Sequence, residues 1–285
     1  MHYKTKRIVI PFGSIQPVWV PYPTYLRAQV ELALEQWKKF CQRPLEIKNR
    51  FVFEEIAGIG DAGYEFRPGD VELKIDKKES LHFTKGESER LLSYTDRDMT
   101  SDDGRAFILT LQRLEKECFP FIIKFAEYLV QEFPSLPIDF VEKITASRNR
   151  WTYRFLHYFP GENDIIGGAH CDKGGFTPHL ASDMPGLEYL ASDKKTWLPM
   201  DSTKGSTVII PSLQLQYVSR GKVKALCHRV ISTPESRLHG RYSSVCFIDM
   251  MATALYNKKH FGGTQIHPPG FNYDMPKDDF NKMFV

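Results

Sequence analysis

Two side chains able to hold a metal stand two residues apart in the stretch GGAHCDKGG, residues 167–175: His170 and Asp172, with Cys171 between them. In an extended strand successive side chains point to opposite faces, so the imidazole and the carboxylate share a face and Cys171 turns away. Alone the pair carries little weight, because chance supplies roughly one such pair in every two chains of this composition. A second element raises it. His228 lies in KVKALCHRVIST, another strand-like run, and barrel closure can bring two such strands to one centre. His170, Asp172 and His228 would then form a facial triad of two imidazoles and a carboxylate, with open positions on an octahedral ion. That donor set suits non-haem Fe(II), although zinc accepts the same ligands.

A third element is RYS, where Arg241 and Ser243 fall on one face of a further strand. A guanidinium pairs with a carboxylate through two parallel hydrogen bonds, and a hydroxyl two residues on adds another. Together they could hold the far end of a dicarboxylic cosubstrate whose near end chelates the metal. Without the triad, an inward arginine could also be one half of a satisfied structural ion pair.

These residues need a rigid frame. From Trp151 onward the chain breaks into short β-branched and aromatic runs bounded by Gly, Pro, Asp and Ser: WTYRFLHYF, GGAHCD, FTPHLAS, GLEYLA, TWLPMD, STVIIP, VKALCHRVIST and RYSSVCFIDM. Strands in this number, with no helices between them, predict a jelly roll or barrel rather than a parallel sheet. The region before it, residues 1–145, reads as mainly helical. TYLRAQVELALEQWKKF spaces Leu26, Val30, Ala33, Trp37 and Phe40 for one helix face, with the two aromatics as core. A longer run begins at Ser101 or Asp102 and contains Pro120, which predicts a kink or two helices. The fold class is thus mainly β with supporting helices. The organisation is one domain over 1–285: a helical support to 145, a core over 146–250 and a tail over 251–285.

Composition narrows the function classes. With 42% hydrophobic, 26% charged and 13% aromatic residues, the 285-residue chain reads as soluble and globular. A net charge of +3 without basic runs gives no reason to expect nucleic acid as a partner. No apolar stretch is long enough for a membrane span or a secretory signal, so a cytoplasmic location is expected. The 5 cysteines have no CxxC pair, which fits a reduced compartment that also favours ferrous iron.

With those residues in place, the chain resembles the 2-oxoglutarate- and Fe(II)-dependent oxygenases of the isopenicillin N synthase and deacetoxycephalosporin C synthase type. GYEFRPGDVELKIDKKESLHF is similar to the region before that family's long helix, and HYFPGE to its aromatic-aromatic-proline strand. HCDKGGFTPHL, GLEYLASDKKTWLPMD, LQYVSRGKVKALCHRVIST and RYSSVCF follow in the family's order. The resemblance implies a double-stranded β-helix, with His170, Asp172 and His228 as iron ligands and Arg241 with Ser243 holding the distal carboxylate of 2-oxoglutarate. It further implies O2 as second cosubstrate and release of succinate and CO2 while a small-molecule metabolite is hydroxylated, desaturated or cyclised.

Some positions depart from the family. Many relatives have Asn and Tyr where His157 and Phe159 are expected to align, Arg220-Gly221 replaces an Asn-Gly turn, and PESRLHG lengthens the turn before Arg241. Two-residue alternation groups Tyr153 and His157 on one strand face, Thr177 and His179 on another, and Phe247 with Arg241 on a third. Tyr153, His157, His179 and Phe247 are therefore expected as substrate contacts, His157 and His179 being equally readable as hydrogen-bonded core histidines. Three alternatives stay open at this point: an Fe(II) oxidase that does not use 2-oxoglutarate, a zinc hydrolase with the same ligands, and a non-catalytic ligand-binding barrel. Neither substrate nor oligomeric state is legible.

Overall fold

The protein is described by a computed structural model that covers residues 16–56, 60–69, 77–95, 102–202 and 205–250. The tail expected at 251–285 lies outside the described residues.

Strand β1 (Val18–Pro21) leads through Pro23 into α1 (Thr24–Cys41). The helix buries the expected stripe of Leu26, Val30, Ala33, Trp37 and Phe40. After α2 (Leu45–Lys48) come β2 (Glu54–Ile56), β3 (Gly60–Arg67) and β4 (Lys78–Phe83). The mainly helical reading of this region missed these strands. Then follow α3 (Ser88–Ser93), α4 (Asp102–Glu132) and α5 (Phe140–Ala146). Pro120 sits inside α4 without dividing it. The turns on either side of it are anchored in the core by Leu114, Cys118, Phe121 and Ile122, so packing outweighs one missing backbone hydrogen bond.

The jelly roll follows as β5 (Thr152–Tyr158), β6 (Ile165–Cys171), β7 (Phe176–His179), β8 (Ala181–Ser182) and β9 (Leu187–Leu190). It continues through β10 (Trp197–Pro199), β11 (Ser206–Pro211), α6 (Leu213–Val218), β12 (Cys227–Ile231), α7 (Pro234–His239) and β13 (Arg241–Phe247). The lengthened turn at PESRLHG is α7, started by a capping box between Thr233 and Ser236 and by Pro234 in its first turn.

Two layers result. One runs β2-β3-β4-β5-β13-β8, and a bridge between Phe176 and Ile248 joins its β13 side to the sheet β1-β11-β7. The other is β10-β9-β12-β6. Between them lies an apolar cluster that includes Leu156, Tyr158, Val208, Ile210, Val230 and Val245. A second core, between the large layer and the helices, contains Trp37, Phe40, Phe107, Tyr153 and Phe155, and Trp37 Nε1 donates to the Leu156 carbonyl across it at 3.0 Å. Both faces of β5 are therefore buried.

That second core also holds a polar knot. Glu79 on β4 accepts hydrogen bonds from Lys48 Nζ at 2.5 Å, Tyr64 OH at 2.5 Å and His157 Nδ1 at 2.8 Å. Burial works against its charge, but the bonds from His157, Lys48 and Tyr64 prevail and bring its pKa to about 2. A folded-state pKa below the unfolded one stabilises the protein above the unfolded value, and that stability is lost as pH falls from about 4.5 through about 2. The contribution is about 3 kcal/mol at neutral pH. In urea melts at stepped pH, Glu79→Gln should lower stability at pH 7 by about 3 kcal/mol and flatten the decline below pH 4.5. An unchanged acid slope would contradict this assignment.

Candidate metal centre

Strands β6 and β12 are hydrogen-bonded neighbours in the smaller sheet, with His170 directly opposite His228 and Cys171 opposite Cys227. The histidine strands are thus adjacent, and one cross-strand pair supplies both imidazoles. Their rings lie 4.4 Å apart. Asp172 immediately follows β6, and its carbonyl accepts from the Leu213 amide at 2.9 Å, tying this turn to the start of α6. The glycines behind it serve close approach. A Cβ on Gly174 would stand 2.5 Å from the Ile248 carbonyl oxygen, and one on Gly175 2.2 Å from Met250 Sδ.

Each histidine is set by a backbone acceptor. His170 Nδ1 donates to the Gly168 carbonyl at 2.7 Å, and His228 Nδ1 to the Leu226 carbonyl at 3.2 Å. A carbonyl can only accept, so the Nδ1 atoms carry hydrogen and the Nε2 lone pairs are free for a metal. Both Nε2 atoms face Asp172 Oδ1, at 3.5 Å from His170 and 3.9 Å from His228. Ligands about 2.1 Å from one ion at right angles are about 3 Å apart, so each histidine needs to close on Asp172 by less than an ångström around it. This group could hold a metal ion, with one ligand atom from each residue and all three within 4.8 Å of one another.

The electrostatics agree. Burial opposes the charge on Asp172, but His228 and His170 hold its carboxyl well below the usual carboxylate range. Burial lowers His228 to about 4, with repulsion from His170 adding to the effect. His170 is raised above the ordinary histidine value because Asp172 outweighs its burial. The side chain of His170 is 49% exposed, against 5% for Asp172 and 8% for His228, so the centre opens to solvent on the His170 side.

Deeper between the layers lies Arg241, fully buried at 0% exposure. Its Nε donates to the Met184 carbonyl at 3.1 Å, while Nη1 and Nη2 have no hydrogen-bond partner. Burial lowers its pKa, only partly offset by Tyr158, Asp201 and Asp183. Ser243 Oγ, His179 Nδ1 and Asp172 Oδ2 are likewise buried without partners. His179, on β7, is brought down to about 3 by burial, with Arg241 and His228 adding to the effect. Buried polar atoms are nearly always satisfied in folded proteins. Several orphans at one interior site mark a place built for a polar ligand.

The tentative contacts divide. His179 and Phe247 belong to the interior, Phe247 packing on the cluster between the layers. Tyr153 and His157 do not. The register places Arg241 opposite Tyr158 and Ser243 opposite Leu156, whereas His157 is opposite Tyr242 on the other face. Tyr153 packs in the helix-side core, and His157 stacks on Tyr242 with ring centres 4.1 Å apart and bonds Glu79. The alignment of His157 and Phe159 with cosubstrate-contacting positions is corrected with them: Leu156 and Tyr158 are the residues of this strand that share the face of Arg241. Reading the strand one residue earlier would have found Tyr158. Cys171 and Cys227 lie in an apolar cluster with Leu213 and Ala225, as strand alternation predicts.

Fold and site together define a jelly-roll protein with a pocket able to hold one metal ion. Residues 150–250 match the 2OG-Fe(II) oxygenase superfamily. The 2-oxoglutarate-dependent dioxygenase citB of Monascus ruber is 33% identical over 103 residues, 34% of this chain and 30% of that protein. The matched stretch thus spans under a third of that relative's length. Among solved structures, a 2OG-Fe(II) oxygenase family protein from Caulobacter crescentus has a TM-score of 0.65 at 23% identity, covering 84% of this chain and 77% of that one. The dioxygenase for auxin oxidation 1 from Arabidopsis thaliana, bound to 2-oxoglutarate, has a TM-score of 0.58 at 18% identity, covering 82% and 85%. At these identities the structural likeness speaks for the shared fold. Among the described residues, no helix is long and apolar enough to cross a membrane.

Proposed function

We propose that the protein is an Fe(II)- and 2-oxoglutarate-dependent oxygenase of a small-molecule metabolite, acting in the cytoplasm. The observation that carries the reading is the coincidence of two things in one interior: a triad with both Nε2 lone pairs directed at Asp172, and a buried guanidinium and hydroxyl with unfilled donors. The described cysteines are all free, which fits a reducing location.

When bound, the iron supplies activation of O2, coupled to decarboxylation of 2-oxoglutarate to succinate and to oxidation of the substrate. The chain's part is to bind, orient and exclude water. His170, Asp172 and His228 hold the metal and leave positions open. Arg241 offers two parallel donors to the distal carboxylate of 2-oxoglutarate, and Ser243 adds a third. Leu156, Val230 and Val245 make the surrounding wall apolar, which strengthens these charge-assisted bonds by keeping water out.

The test is turnover with a panel of small metabolites, Fe(II), 2-oxoglutarate and O2, following succinate and dissolved O2 together. Succinate should appear in proportion to the O2 consumed, and only with Fe(II) present. O2 consumption without succinate, or none with any substrate, would count against the proposal.

A further inference from the structure

We infer that Arg154 is a second carboxylate-binding residue, and that the substrate is a small molecule bearing a carboxylate. The inference rests on the proposed function and deepens it.

Arg154 on β5 lies on the same face as Arg241, Ser243 and Val245, directly opposite Val245 on β13 and His82 on β4. Its guanidinium stands over the Phe247 ring, 4.8 Å from the centroid. Stacking of this kind occupies the face of a guanidinium and leaves its edge donors free for a planar anion. Its Nε is buried without a hydrogen-bond partner, and among the described residues no ion pair to Arg154 is formed. An arginine held over an aromatic ring, inside the barrel and lacking an anion, is built for one that arrives from outside.

Neighbouring acids do not meet that need. Glu65 is paired with Arg67 at 3.0 Å. Asp61 attracts Lys173, the residue after the ligand Asp172. His82 stands 3.9 Å from each of these two acids and 3.2 Å from Ser80 Oγ. Both of these acids thus have a cationic neighbour already, and neither is paired with Arg154.

Arg154 cannot share the ligand of Arg241. Its guanidinium is held over Phe247, six residues along β13 from Arg241 and about 20 Å away at strand rise, so it leans away from Arg241. That distance exceeds the span of a five-carbon dicarboxylate. The two arginines therefore hold different acids: Arg241 the cosubstrate, Arg154 the substrate.

The experiment uses the full chain loaded anaerobically with Fe(II) and 2-oxoglutarate. Benzoate, trans-cinnamate and hexanoate are titrated against their uncharged amides, with binding read by calorimetry and by the shift in Tm. At least one acid should bind roughly tenfold or more tighter than its amide, since the amide cannot form the charge-assisted pair with the guanidinium. Arg154→Gln should reduce that acid to the level of its amide, Arg154→Lys should keep part of the preference, and both should retain wild-type affinity for 2-oxoglutarate and a wild-type Tm without acid. Acids binding no better than amides in the wild type, or an undiminished acid preference in Arg154→Gln, would overturn the inference. Failure of wild-type protein to bind 2-oxoglutarate would instead remove the reading beneath it.

Discussion

Arg241→Leu is expected to weaken 2-oxoglutarate binding by roughly two to three orders of magnitude. The guanidinium is 0% exposed, and removing one partner of a buried, hydrogen-bonded charge pair costs about 3–5 kcal/mol, at about 1.4 kcal/mol per decade of affinity. Arg241→Lys keeps the charge but loses the planar fork, so a smaller loss of about tenfold is expected. Ser243→Ala removes one hydroxyl donor, worth about 1 kcal/mol. The informative control is stability without cosubstrate. Nη1 and Nη2 of Arg241 have no partner and burial disfavours the charge, so a shorter, uncharged leucine should not lower the Tm of the unliganded protein. The stabilisation that saturating 2-oxoglutarate gives the wild type should vanish in Arg241→Leu. A variant that loses Tm but keeps its affinity would make Arg241 a structural residue.

Asp172→Ala should abolish retention of Fe(II) through desalting and reduce turnover to background. Loss of a residue that merely orients a ligand costs about 10- to 100-fold in metal affinity, so loss of a ligand itself should exceed about 100-fold. The substitution also removes the only carboxylate of the triad, leaving two imidazoles and the half-exposed mouth. Thr177 gives the intermediate case. Its hydroxyl helps hold the Asp172 carboxyl in the charged form, and Thr177→Val should weaken Fe(II) binding by about tenfold. Iron content by metal analysis checks both, and full retention of iron by Asp172→Ala would contradict the triad.

Much of this site was legible in the sequence because its logic is local. His170 and Asp172 are two residues apart, as are Arg241 and Ser243, and strand alternation alone puts each pair on one face. What alternation does not say is which face points inward. On β5 the ambiguity is complete: Tyr153 and Phe155 are buried against helices while Leu156 and Tyr158 are buried between the layers, so neither face is marked by polar residues. The assignment of Tyr153 and His157 to the pocket failed for that reason, and Tyr158 and Arg154 were overlooked with it.

The fold shows a parallel limit. The strands after Trp151 announce themselves by β-branched and aromatic runs. Strands β3 and β4, GDAGYEFR and KESLHF, are rich in Gly, Glu, Asp and Lys, which are poor strand formers. They are strands because the edge of β5 offers a register from Lys78 opposite Tyr158 to Phe83 opposite Tyr153, a tertiary fact absent from local pattern. Short helices such as α6 and α7, only 6 residues each, give too little periodicity to read.

The proposed function puts Fe(II) on the triad and 2-oxoglutarate on Arg241 in one pocket. Anaerobic calorimetric titration of 2-oxoglutarate into the full chain, with and without Fe(II), tests it most directly. One 2-oxoglutarate should bind per chain, much more tightly with Fe(II) than without, because chelation and the Arg241 contact act on the same molecule. Absence of binding, or equal affinity in the presence and absence of Fe(II), would contradict the claim.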